Sequence, residues 1–167
     1  MPGKNISGRD NQQERFKTIG WIVGFIDGEG CFSVSLHKNP TTKFGWQIMP
    51  EFVVTQGEKS LNSLEIVKKF FNCGNIFVNK RYDNHKENLY RFCVRSHKDL
   101  KEKVVPFFRK NQLQTSKSRD FSLFSKVIEM MTDKKHLSEK GIKEIINIAT
   151  NMNTGKRKQK FSNILRH

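Results

Sequence analysis

The chain has 167 residues, 35% hydrophobic and 28% charged, which suits one soluble domain with a real core and leaves little room for a second. Its 31 Lys and Arg outnumber 16 Asp and Glu, and the formal charge of +15 points to a polyanionic partner, nucleic acid first. No apolar run approaches the roughly 20 residues of a membrane span, and Cys31, Cys73 and Cys93, with no C-x-x-C spacing, argue against a disulfide framework or a zinc site and for a reducing compartment.

Residues 1–12 read as a polar, flexible leader without a secretory apolar segment, and residues 13–153 as a single domain. The first element is a helix over residues 13–27. Gly20 and Gly24 lie one turn apart on it beside Trp21, a face on which a second backbone can approach closely. This helix ends in Asp27-Gly-Glu29-Gly30, two acids at the wrong end of a helix dipole, and as unpaired carboxylates they suggest cation binding. Gly28 and Gly30 give the φ freedom to leave the helix and start a strand at Cys31.

Residues 31–38 alternate, with Phe32, Val34 and Leu36 facing a core and Ser33, Ser35 and His37 facing out. Residues 39–45 form a hairpin loop. In the strand over 46–56, Trp46, Ile48, Phe52 and Val54 share one face and Gln47, Met49 and Glu51 the other, while Pro50 marks an edge or a bulge. Ser60 can cap a helix with the stripe Leu61, Leu64, Val67, Phe70 and Phe71, closed by Gly74. A strand over 75–82 turns Ile76 and Val78 inward and Asn79 and Arg81 outward. After a turn at Asp83-Asn84-His85, a strand over 89–95 turns Tyr90, Phe92 and Val94 inward and Arg91 and Arg95 outward. Helices over 98–108, 120–131 and 138–152 follow, and residues 154–167 form a basic tail, read as solvated. The expected fold is α+β, of order α-β-β-α-β-β-α, with four antiparallel strands backed by helices on one face.

The segment Trp21-Ile-Val-Gly-Phe-Ile-Asp-Gly-Glu-Gly30 resembles the signature of the LAGLIDADG homing endonucleases and occurs once, as in the single-motif, homodimeric type. That resemblance implies a saddle-shaped sheet lying in the major groove of DNA, and signature helices paired through Gly20, Trp21 and Gly24. It implies that Glu29, with the Gly28 carbonyl beside it, holds a divalent metal: Mg²⁺, or Mn²⁺, or Ca²⁺ in a complex that does not cut. By the same resemblance Gln56, after Phe52-Val-Val-Thr, orders water near the scissile phosphate, and Lys117 points into the active site. Lys59 and Ser60 stand where the family often has a further polar or basic residue.

The outward set Ser33, Ser35, His37, Gln47, Met49, Glu51, Asn79, Arg81, Arg91 and Arg95 mixes chemistries, which suits reading bases as well as gripping phosphate. A strand of about 8 residues spans roughly 26 Å, so a symmetric pair covers about 16 to 22 base pairs of a nearly palindromic target. The five histidines are scattered without metal-ligand spacing and are assigned no catalysis. The expected function is therefore a site-specific, metal-dependent double-strand DNA endonuclease acting as a homodimer. The alternative is an intron RNA maturase, with host intron RNA as partner, or a DNA-binding regulator that does not cut. A chain rich in Lys, Asn and Ile, with 14 Phe, hints at an A/T-rich genome such as that of a mitochondrion or chloroplast.

Overall fold

The computed structural model describes residues 8–80 and 87–153. Arg81, the turn expected at residues 83–85, the first part of the leader and the basic tail lie outside the described residues.

Helix α1 (Gly8–Glu29) begins inside the expected leader and runs two residues past Asp27. Its buried side, Ile22 and Ile26, repeats at i and i+4, while Trp21 stays 40% exposed and stacks on Phe25 with centroids 5.0 Å apart. The junction to the next strand needs glycine for a reason other than the expected one. Among the described residues only Gly45 and Gly74 have positive φ among the glycines, so neither Gly28 nor Gly30 uses left-handed backbone. A Cβ on Gly30 would instead lie 2.7 Å from the Ile26 carbonyl oxygen, so close approach is the constraint there.

Strands β1 (Gly30–Lys38) and β2 (Trp46–Gly57) pair antiparallel without a break, from Gly30 with Val54 to Lys38 with Trp46. Pro50 therefore makes no bulge. It pairs with Val34, and the pairing of β2 with β4 (Leu89–Val94) starts only at Phe52 with Val94, so the side of Pro50 turned from β1 meets no strand. The connecting loop closes as expected, with Gly45 at φ +70°. A 3₁₀ turn (Glu58–Ser60) leads into α2 (Leu61–Phe71), where Ser60 occupies the cap position but bonds no backbone amide. Asn72 turns left-handed (φ 49°) to end α2, and Gly74 follows at φ +75°, where a Cβ would lie 2.7 Å from the Cys93 carbonyl.

Edge strand β3 (Asn75–Asn79) pairs with β4, giving a four-stranded antiparallel sheet of order β1-β2-β4-β3. Both strands end earlier than their alternation suggests. Next, α3 (His97–Asp99) widens into a π-helical turn (Leu100–Val104) and continues as α4 (Val105–Lys110). The wide turn sits just before Pro106, whose ring has no N–H to offer the preceding turn. Finally α5 (Lys117–Thr132) lies against β1, and α6 (Glu139–Thr150) is capped by the Ser138 hydroxyl, which accepts from the Gly141 amide at 3.1 Å.

The phenylalanines fill the layer between sheet and helices. Phe32 stacks on Phe52 at 5.0 Å and meets Phe108 edge-on at 5.5 Å, and Phe121 and Phe124 close the cluster from α5. Each such pair adds about 0.5–1.5 kcal/mol beyond area burial. The helices cover one face of the sheet, and the other face carries the residues that alternate outward.

Candidate active site and open sheet face

A helix leaves its last carbonyls without intrahelical partners and its C-terminus partly negative, so a cation is attracted there. At the end of α1 that cation is Lys117, the first residue of α5. Its ammonium donates to the Asp27 carbonyl at 2.8 Å and to the Gly28 carbonyl. The Lys117 ammonium therefore sits on the Gly28 carbonyl that the family resemblance assigns to a metal.

The two acids of the junction part company. Asp27 is 9% exposed, and its carboxylate accepts from the Gln114 amide at 2.9 Å, the Thr115 amide at 3.1 Å and the Thr115 hydroxyl at 2.7 Å. The expectation that Asp27 is unpaired is corrected by these bonds: it ties the loop before α5 to the tip of α1. Burial works to raise its pKa, but the Thr115 hydroxyl, the two amides and the Lys117 charge together hold the carboxyl below its usual range. Glu29, by contrast, is exposed and makes no ion pair among the described residues. It is the free carboxylate of the pair.

Gln56 is half-buried near the end of β2, two residues past Val54, which pairs with Gly30. The register carries Gln56 two residues beyond the Gly30–Val54 pair, at which α1 hands over to β1. Among the described residues of a single chain, no three His, Cys, Asp or Glu side chains gather to hold a metal. On the outer side of α1, a Cβ built on Gly20, Gly24 or Gly28 meets nothing within 4 Å, so the glycine stripe faces open space beside Trp21.

The outward residues follow the register. Ser33 pairs with Glu51, Ser35 with Met49 and His37 with Gln47, forming three rows across β1 and β2. Ser33 is 7% exposed, on the floor of the face, while His37 and Gln47 stand out; Asn39 donates to the Gln47 side chain at 3.2 Å. Asn79, on β3, is exposed opposite Leu89. Arg91 and Arg95 both bind Glu51, which joins three of the expected DNA contacts into one network. Cys93 lies in the same row as Val53; burial first, and then the neighbouring Glu51, push its thiol up to about 11, so it is no nucleophile at neutral pH.

Three participants went unread in the sequence. Gln114 and Thr115 bind Asp27 through main-chain amides, for which no residue type is diagnostic, and Thr115 adds its hydroxyl. Phe77 was readable: it alternates with Ile76 and Val78, so its parity sets it outward, where it is 50% exposed and pairs with Arg91.

The family model described as LAGLIDADG endonuclease matches residues 22–128. The "Probable intron-encoded endonuclease 2" of Neurospora crassa is 32% identical over 136 residues, covering 81% of this chain and 29% of its own length. DNA endonuclease I-CeuI of Chlamydomonas moewusii is 27% identical over 119 residues, covering 70% of this chain and 53% of its own length. The chain thus spans between about a quarter and a third of the first curated relatives it matches, 29% and 25%. Among solved structures, the homing endonuclease I-TnaI superposes with a TM-score of 0.78 at 38% identity, covering 89% of this chain and 95% of that one. I-SmaMI bound to uncleaved DNA in the presence of calcium ions gives 0.78 at 35% identity, covering 87% of this chain and 48% of its own.

Proposed function

This chain belongs to the LAGLIDADG endonuclease family, and from that membership we propose that it is a site-specific DNA endonuclease. In this reading it works as a homodimer on a long, nearly palindromic duplex and cuts both strands. The observation that carries the reading is the division of labour at the tip of α1: Asp27 is bonded by two amides and a hydroxyl, while Glu29, next to the Gly28 whose carbonyl accepts from Lys117, is exposed and makes no ion pair among the described residues.

Glu29 and the Gly28 carbonyl are hard oxygen donors, which fit Mg²⁺, Mn²⁺ or Ca²⁺ and not a soft metal. A divalent cation bound there supplies charge neutralisation at the phosphate and a more acidic water. The protein side chains do the rest. Two Glu29 carboxylates, one from each protomer, meet if the α1 helices pack along Gly20, Trp21 and Gly24, whose outer side is open. Lys117 brings a fixed positive charge to the edge of the site, where charge builds up on phosphate oxygens. Gln56, an amide that both donates and accepts, orients the attacking water. The sheet face from Ser33 to Arg95 enters the major groove, as the formal charge of +15 favours. The intron-encoded relatives and the A/T-biased residue usage support an intron-encoded protein of a mitochondrion or chloroplast.

The test is cleavage of duplex DNA spanning an intron-free insertion site, with Mg²⁺, by the purified wild type and by Glu29→Gln. We expect the variant to keep DNA binding and lose cleavage by about 10²–10³-fold or more. A Glu29→Gln protein that still cuts removes the metal role, and a wild type that binds the intron RNA but never cuts DNA reverses the choice in favour of a maturase.

A further inference from the structure

On a surface meant for a polyanion, a carboxylate is an expense that needs a reason. Glu51 is such a carboxylate. Its Oε1 accepts from Arg91 Nη2 at 2.9 Å and its Oε2 from Arg95 Nε, and its side chain is 16% exposed against 39% and 51% for the two arginines. The register explains the reach of both. Phe52 pairs with Val94, so Arg95 lies across from Glu51 one step further on, while Arg91, paired with Thr55, reaches toward the C-terminal end of β4 to the same group.

Arg95 is held from a second side. Its Cζ lies 5.9 Å from the centre of the Phe77 ring on the edge strand. An ion pair through Nε on one flank and an aromatic ring on the other fix the plane of a side chain that otherwise samples many rotamers. The bond through Nε leaves the two terminal amino groups as a fork. That fork has the spacing of the O6 and N7 acceptors of guanine.

We propose that Glu51 is a positioning residue for base reading: with Phe77 it holds Arg95 so that the terminal fork of the guanidinium meets a guanine in the major groove of duplex DNA. The inference rests on the endonuclease reading above and names how this face would select its target. The same carboxylate offsets one of the two arginine charges, which weakens indiscriminate attraction to phosphate and sharpens the contrast between right and wrong sites.

The experiment is binding selection from a pool of randomised duplexes longer than the expected site, with Ca²⁺ replacing Mg²⁺, for the wild type, Glu51→Gln and Arg95→Lys. The wild type should enrich guanine at one position of each half-site. Both variants should lose about tenfold of that preference at the same position while other positions keep theirs. Glu51→Gln should also bind the unselected pool more tightly, with a salt slope steeper by about one unit. A mere fold-holding role would not move one base position alone. Guanine preference retained in both variants, or lost at different positions, overturns the proposal. Arg95→Lys keeps charge and exposure, so it decides the matter even if Glu51→Gln does not fold. A wild type that enriches no sequence at all defeats the underlying DNA-reading premise, and the proposal falls with it.

Discussion

At the tip of α1, Asp27 is held by the backbone amides of Gln114 and Thr115 and by the Thr115 hydroxyl, whereas on the open face Glu51 is held by the side chains of Arg91 and Arg95. Two of the three donors in the first arrangement survive almost any change of residue type, because every residue but proline carries an amide. The second dissolves with one substitution. A junction held largely by main chain tolerates exchange of side chains, whereas a surface network of side chains is rewritten by it.

Breaking the main-chain clamp should have the largest effect. Asp27→Ala leaves two amides and a hydroxyl without their buried acceptor, which costs about 2–4 kcal/mol and lowers the thermal midpoint by about 5–15 °C. The effect has a pH signature. The folded pKa of Asp27 lies below its unfolded value near 3.9, so its contribution is complete above that value and fades as pH falls through the folded one. Thermal melts should then show a gap between wild type and Asp27→Ala that is flat above about pH 5 and narrows below about pH 4. A gap that persists unchanged in acid would mean that ionised Asp27 is not what binds the loop.

Removing the cation beside that clamp should cost less in stability and more selectively in chemistry. Lys117→Met loses the ammonium from the Asp27 and Gly28 carbonyls, worth about 0.3–1 kcal/mol at a helix end. Cleavage should drop by about 10²-fold with DNA affinity nearly unchanged. Equal losses of affinity and cleavage would make Lys117 a phosphate grip and not part of the reactive junction.

The same contrast decides what the sequence disclosed. The alternation of β1 and β2 places Phe32, Val34 and Ile48 under the helices and Ser35, His37 and Gln47 on the open face, because a half-covered antiparallel sheet writes its two environments into odd and even positions. The antiparallel order and the end of α1 at Glu29 were likewise legible, since an apolar helical run stops there and an alternating run begins. The Asp27 clamp was hidden: its partners, two amides and the Thr115 hydroxyl, lie 87 and 88 residues away, and no residue pattern announces an amide. The Glu51 network was hidden for a different cause. Sequence parity puts Glu51, Arg91 and Arg95 on one face but gives no sign that Arg91 reaches along its strand to share a carboxylate. Glycine misled in a third way, for Gly30 is required by contact with Ile26 and not by backbone conformation.

The glycine stripe of α1 offers the gentlest test, because there folding and pairing separate. No atom lies within 4 Å of a Cβ built on Gly24, so Gly24→Leu meets no clash inside one protomer. Leucine is also a better helix former than glycine, by about 0.5–1 kcal/mol, so the protomer should be as stable as before or slightly more so. In the proposed homodimer, however, the new side chain stands where two helices must come within backbone contact. Sedimentation of the DNA-free protein should then show a dimer for wild type and a monomer for Gly24→Leu with an undiminished melting midpoint. A Gly24→Leu dimer would place the protomer contact elsewhere and take the two Glu29 carboxylates apart, which leaves one acid per site and too little charge to hold the cation the chemistry requires.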